Sequence, residues 1–395
     1  MFQKKINFLM NKIYLLTAAF AVMASLSGCS DTELASIDTA QEKTPIGFHT
    51  VGSQMGSRAT IINSSNDLTG HSFNVYAFNC KDDGTDGTVF MGTNDASHDY
   101  NGINISYNGG KWGYTTSTDL KYWPTNDLNF YAVSPGGNQY LYTWNISASN
   151  KEIKVSTSDE YGDPENLPEN VDVMYAISKN QNQSLNGGKV KMNFRHILSQ
   201  VEFKARTDIP NMEVTIEGIK IYNFNSVGTF TLPTTENAPT RTNWQYEDRG
   251  YSTTGFTVVK GKSIKVEKTA TSISEGPMLF IPQQLTKWAT TAASPMSINQ
   301  ANTAKQSYLE INCRIKLDGI DRVGPGSTID KLYVPFGADW QPGKHYIYTL
   351  VFGGGYRVDG TPILQSINFE TKVEEWKEDD GNKTTGNDIN IQPQQ

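Results

Sequence analysis

Beyond residue 45, the apolar positions of the chain recur at every second residue. Phe73/Val75/Ala77, Val190/Met192/Phe194, Val201/Phe203/Ala205, the odd positions from Leu309 to Leu317, and Ile367/Phe369/Thr371/Val373 all follow this spacing with polar partners between. A period of two predicts half-buried antiparallel strands. At 200–206 the two faces separate cleanly, with Gln200, Glu202, Lys204 and Arg206 on one side and Val201, Phe203 and Ala205 on the other. In the stretch Met212-Glu-Val-Thr-Ile-Glu-Gly-Ile-Lys-Ile221 the apolar set moves from even to odd numbers across Gly218, which predicts a β-bulge. No convincing 3.6-residue period follows the N-terminal segment, and 34 Gly and 16 Pro punctuate the strands. The expected class is all-β, built as antiparallel sandwiches.

The N-terminus breaks this pattern. Lys4, Lys5 and Lys12 precede a run of apolar and small residues at 13–26 that ends in Leu26-Ser-Gly-Cys29. The run is too short to cross a bilayer as a permanent helix, which takes about 20 residues, and it suits the apolar region of a signal peptide. Small residues before Cys29 form a lipobox. It predicts cleavage there and acylation of the Cys29 thiol, and several acyl chains on one residue anchor stably. An ordinary secretory signal with an incidental cysteine is the competing reading. The expected organisation is a lipoprotein signal peptide at 1–28, a tether at 29–45 with few large apolar side chains, an N-terminal β-sandwich at 46–208, a C-terminal β-sandwich at 209–376 and a polar tail at 377–395. The boundary is placed in Thr207-Asp-Ile-Pro-Asn211, between two strand clusters.

Charge narrows the partners. Removing the signal leaves 31 basic residues against 41 acids, a net charge of −10, and no cluster of Lys and Arg offers itself to phosphates, so nucleic acid is excluded as a partner. The 11% of aromatic residues supply enough apolar area for two cores. Chemistry is sparse. His49, His71, His98, His196 and His345 show no ligand spacing, so no metal site is expected. Lys81-Asp-Asp-Gly-Thr-Asp-Gly87 has the carboxylates of a calcium loop, but Gly84 takes the third position and Thr93 stands where a closing Glu belongs, so it reads as a turn. No nucleophile elbow, phosphate loop, dinucleotide fingerprint or cysteine-nucleophile motif occurs. The expectation is therefore no catalytic residues, no cofactor and no enzyme. Once Cys29 is acylated, Cys80 and Cys313 remain, 233 positions apart, so no disulfide framework is expected, and Cys313 reads as a small hydrophobe buried on an apolar strand face.

Several segments carry a family resemblance: Tyr122-Trp-Pro124, Leu128-Asn-Phe-Tyr-Ala-Val-Ser-Pro135, Asp172-Val-Met-Tyr-Ala176, Val190-Lys-Met-Asn-Phe-Arg-His-Ile-Leu-Ser-Gln-Val201, Leu279-Phe-Ile-Pro-Gln283, Trp340-Gln-Pro-Gly-Lys-His-Tyr-Ile-Tyr-Thr-Leu350 and Val373-Glu-Glu-Trp376. In this order, after a lipobox and a tether, they resemble the fimbrillin family, the type V pilins of Bacteroidota and their Mfa-like relatives. The resemblance implies two tandem transthyretin-like β-sandwich domains. It also implies export as a lipoprotein to the outer-membrane surface, loss of an N-terminal strand to a trypsin-like protease, and assembly into a fimbrium when a neighbour's strand fills the vacated groove.

The chain has parts to match. Ile46-Gly-Phe-His-Thr50 alternates like a first strand, with Ile46, Phe48 and Thr50 on one face. Gly56-Ser-Arg-Ala-Thr60 places Arg58 before the next β-branched run, so a cut between Arg58 and Ala59 removes lipid and strand together. The alternating segment 363–376 fits either the C-terminal sandwich or a donated strand. Shaft, tip and anchor roles all remain open on the sequence, and His196 reads as a packed structural residue. The leading function is a fimbrial or accessory subunit whose partners are other fimbrial subunits and, before processing, the outer membrane. The competing one is a monomeric surface lipoprotein that binds a glycan or host ligand, with Trp112, Trp144 and loop tyrosines as stacking candidates.

Overall fold

The computed structural model describes residues 43–50, 69–92, 102–136, 142–156, 171–247 and 368–375, together with 251–363 apart from 253, 261–262, 275, 327 and 354. Strands dominate it. In chain order the first are β1 (Gly47–His49), β2 (Phe73–Cys80), β3 (Asp86–Met91), β4 (Ile103–Asn108), β5 (Lys111–Tyr114), β6 (Leu128–Ser134), β7 (Tyr142–Ile146), β8 (Lys151–Ser156), β9 (Met174–Gln181), β10 (Lys189–Lys191), β11 (Arg195–His196), β12 (Ser199–Arg206) and β13 (Met212–Tyr222). Among the described residues helix is confined to short pieces, such as Ile298–Thr303 behind a Ser297 capping box. Among the described residues no helix is long and apolar enough to cross a membrane.

A central antiparallel sheet runs β11-β9-β6-β2-β4-β5, with β3 also paired to β2. Its middle strands, β2, β6 and the first half of β9, are buried on both faces. Phe73, Val75, Ala77, Phe130 and Ala132 face one core. Tyr76, Phe78, Tyr131 and Val133 face another, closed by a sheet of β7, β8, Val227–Thr231 and Trp244–Tyr246. The alternation predicted a half-buried β2, whereas its pattern is buried from Phe73 to Phe78. The difference lies in Tyr76, which is amphipathic: its ring packs in the second core while its hydroxyl accepts a 2.8 Å hydrogen bond from Trp144 Nε1.

A second pair of sheets encloses the largest core. One sheet holds β12, Lys344–Val351 and Asn368–Glu375 in that order; the other holds Phe256–Val259, β13, Tyr308–Leu317 and Asp330–Pro335. Val201, Phe203 and Ala205 meet Ile216, Ile311 and Tyr348 between them. The bulge expected at Gly218 is present, as a register shift between Ile216 and Gly218 against Tyr308–Leu317. Cys313 lies in this core as a free thiol pushed up to about 12 by burial.

Two features depart from simple chain order. β12 pairs in parallel with Lys344–Val351, and β1 in parallel with β10, although the pattern was read as antiparallel throughout. Alternation fixes which face a residue takes and is blind to strand direction; direction follows from the connections, and parallel neighbours need long ones. In addition, Val227–Thr231 pairs with β8 while β12 lies in the other pair of sheets, so segments on either side of residue 208 cross between the two.

Candidate functional site

The seat of β1 is built from the alternation of its own residues. Ile46 and Phe48 point inward and are 1% and 4% exposed. The Phe48 ring meets those of Phe73, Tyr114 and Phe130 edge-on, with centroids 6.0 to 6.2 Å apart. Full burial of such side chains contributes about 1.5–3 kcal/mol each. Thr50 Oγ1 is buried and has no hydrogen-bond partner among the described residues, a local cost in an otherwise satisfied seat.

The backbone of this segment is bonded on both sides. On one, β1 pairs with β10 in the register Gly47↔Lys189, Phe48↔Val190, His49↔Lys191, and Met192 N donates to His49 O. On the other, Ile46 N donates to Lys121 O at 2.8 Å and Trp123 N to Thr44 O at 3.0 Å. Trp123 braces the seat by packing on Phe130 and donating from Nε1 to Gly188 O at 2.8 Å. Gly188 adopts φ +78, and Trp123 Nε1 lies 3.3 Å from where its Cβ would sit, so a side chain there would be both strained and crowded. Among the described residues β10 has no strand partner besides β1. Taking β1 away therefore leaves both an apolar trough and unpaired backbone groups, the two things an incoming strand supplies.

The rim of the seat is basic. Lys189 and Lys191 flank His49, and among the described residues neither lysine has an ion-pair partner. Burial, and then the charges of Lys189 and Lys191, hold the His49 imidazole below its ordinary 6.5.

Ile46, Phe48 and Thr50, expected on one face of a first strand, lie along this seat, with Ile46 and Phe48 buried in it. Cys29, Arg58 and Ala59 lie outside the described residues. Of the other candidates, Trp112 and Trp144 are buried, at 8% and 4% exposure, and present no ring for stacking. In Lys81–Gly87, Asp83 Oδ1 accepts hydrogen bonds from Thr85 N and Oγ1, which closes a turn between β2 and β3.

Two polar clusters were not read from the sequence. His196 Nδ1 lies 3.0 Å from Asp172 Oδ1, both fully buried, so two of the motif segments meet through this pair. The signal was an aspartate inside an apolar strand start, at Asp172. Asp86 sits at the floor of an open cavity of about 730 Å³, bound by Lys151 at 2.6 Å, Lys179 at 3.2 Å and Tyr131 at 2.7 Å. Burial pushes the Asp86 carboxyl up, and hydrogen bonds from Lys151, Tyr131 and Asn129 outweigh it and hold it below the usual range. No periodicity foretold this cluster, because its members come from β3, β6, β8 and β9.

Comparison with known proteins agrees with this picture. A family model described as fimbrillin-like matches residues 57–376. A fimbrial protein from Bacteroides vulgatus is similar in structure at TM-score 0.53 and 16% identity, over 84% of this chain and 99% of that one. A putative cell adhesion protein from Bacteroides uniformis gives 0.41 at 14% identity, over 84% and 99%. The tip fimbrial protein Mfa3 from Porphyromonas gingivalis, with C-terminal truncation, gives 0.34 at 9%, over 78% and 94%. A search of curated proteins by sequence found no match. With a family match over residues 57–376, this all-β chain belongs to the fimbrillin-like family, whose members are structural proteins rather than enzymes.

Proposed function

We propose that this chain is a fimbrial subunit or accessory subunit that is exported as a lipoprotein on Cys29, cut between Arg58 and Ala59, and assembled by exchange of β1 for a strand from a neighbour. The observation that carries the reading is the seat of β1. Ile46 and Phe48 fill an apolar trough, yet the covalent link from β1 to β2 runs only through the segment that contains Arg58. One cut therefore separates the lipid-bearing end and β1 from the rest of the chain. The N-terminal sandwich then holds an open groove, and an added strand restores both backbone pairing and apolar contact. In this reading the mature subunit lies in the fimbrium, and its two β-sandwiches are transthyretin-like.

The test is N-terminal sequencing and assembly. Treatment of the chain lacking its signal with a trypsin-like protease is expected to give a new Ala59 terminus and slow growth of denaturant-resistant oligomers, and Arg58→Ala is expected to block both. A cut at Arg58 that yields only monomers, under conditions where a fimbrial shaft protein assembles, would overturn strand exchange for this chain. The open cavity at Asp86 favours a second reading, ligand binding by a monomeric surface lipoprotein. That reading predicts a monomer under all of these conditions.

A further inference from the structure

The cavity at Asp86 lies on the other face of the central sheet from β1. Tyr131 and Leu232, in its wall, belong to the core beyond that sheet, whereas Phe48 packs with Phe73 and Phe130. The floor is a closed arrangement. Asp86 Oδ1 accepts from Asn129 Nδ2 at 2.7 Å and Lys179 Nζ at 3.2 Å, and Oδ2 from Tyr131 OH at 2.7 Å and Lys151 Nζ at 2.6 Å. A carboxylate offers about four acceptor positions, so Asp86 is spent on its neighbours. Lys151 is spent as well, because its remaining N–H groups go to Ser147 O and Ala148 O at 3.0 and 3.1 Å.

Lys179 is different. Its ammonium donates to Asp86 and to Tyr131 OH, and its third N–H has no partner among the described residues. The Lys179 side chain lines the cavity and is 20% exposed. Two ammonium groups thus face one carboxylate, and Tyr131 adds no negative charge, since burial and then the Asp86 carboxylate push its hydroxyl up. The floor carries one positive charge in excess and one free donor, in a recess where a charge pair is stronger than at an open surface.

We propose that this cavity binds a saccharide through a sugar carboxylate placed against Lys179 Nζ. The walls decide the class of ligand. Thr231, Thr234, Thr235 and Ser149 stand exposed around the opening, and their hydroxyls make no hydrogen bond among the described residues, which suits a polyhydroxylated partner. A nucleotide fits poorly, because the Lys151 and Lys179 ammonium groups already lie over the Tyr131 ring, 4.7 and 4.8 Å from its centroid, and leave no free face for a base. A dianionic phosphate fits poorly too, because Asp83 and Glu236 line the opening with only Lys81 to offset them. A single carboxylate matches the single excess charge. The volume of about 730 Å³ lies in the range of small-molecule sites, roughly 300–1,000 Å³. The inference takes its cavity from the second reading above and adds the ligand, but does not need that reading's monomer: β1 and the cavity are on opposite faces, so strand exchange and sugar binding are compatible.

The experiment titrates the uncut chain lacking its signal with sialyllactose, a glucuronate-ended disaccharide and lactose, by calorimetry at low salt. One or both acidic sugars are expected to bind at least about tenfold more tightly than lactose, with the gap narrowing at high salt; the one that binds names the source of the carboxylate. Lys179→Met keeps the length of the stem and leaves Asp86 with Lys151, Tyr131 and Asn129. It is expected to bind the acidic sugars no better than lactose, with circular dichroism checking the fold. Glu236→Gln keeps the oxygen that accepts from Lys179 N while removing a charge from the rim. It is expected to tighten the acidic sugars about threefold relative to lactose, and it carries the test if Lys179→Met does not fold. No binding of any sugar, or acidic-sugar binding that Lys179→Met leaves intact, would overturn the inference. Lactose binding as tightly as the acidic sugars would overturn it and leave the second reading standing, whereas acidic-sugar binding by a chain that assembles after cleavage would overturn that reading and leave this inference standing. Because the chain is uncut, none of these results bears on strand exchange.

Discussion

Two buried side chains show how much single positions carry. Phe48 fills a hole between three rings, and truncation to Ala leaves a cavity that neighbours on three different strands cannot collapse around. Phe48→Ala is expected to cost about 3–5 kcal/mol in the docking of β1, read as faster proteolysis within 51–68 and a lower melting temperature. Asp172 holds His196 where no water reaches either group. Asp172→Ala strands a buried ring nitrogen and is expected to cost about 1–3 kcal/mol, measured by denaturant unfolding. An unchanged midpoint would mean that the pair contributes no net stability.

At the scale of an element, β1 is the strand whose attachment responds to pH. In the seat, burial and the charges of Lys189 and Lys191 depress the His49 imidazole; once the strand leaves, the ring returns to its ordinary 6.5. The released strand therefore binds a proton more readily than the seated one. Docking is full above about pH 6.5 and weakens as pH falls from there through the depressed value. In chain nicked within 51–68, loss of β1 is expected to speed up as the pH falls below the ordinary 6.5 of the released imidazole. His49→Gln is expected to flatten the profile, and a profile that stays equally steep would assign the effect to other groups. The last strand, Asn368–Glu375, has no comparable enclosure, so its amides are expected to exchange with solvent well before those of β2, β6 and β9.

The whole molecule links these elements to a place on the cell. Cys29→Ser removes the thiol proposed to accept lipid while leaving the apolar run at 13–26 intact. It is expected to release the protein from membranes or trap the precursor, read by detergent partitioning and lipid labelling. Unchanged partitioning and labelling would remove the lipoprotein step from the proposed function. Membership of the fimbrillin-like family implies a location at the cell surface, in the fimbrium. The net charge of −7 is consistent with partners that dock through matched strands rather than through nucleic-acid phosphates.

Much of this was legible in the chain because it depends on neighbours in sequence. Period two determined the all-β class, the inward set Ile46, Phe48 and Thr50, and the bulge at Gly218, since a strand's faces and phase slips are written one residue at a time. What only the tertiary structure decided depends on residues far apart. The parallel directions of β1 and β12 follow from where long connections lead. The second buried face of β2 exists because strands from either side of residue 208 cover it. The Asp86 cluster and the Asp172–His196 pair exist because separate strands end at the same place. The basic rim beside β1 is of the same kind: Lys189 and Lys191 lie more than 130 positions from His49, and folding alone sets them side by side.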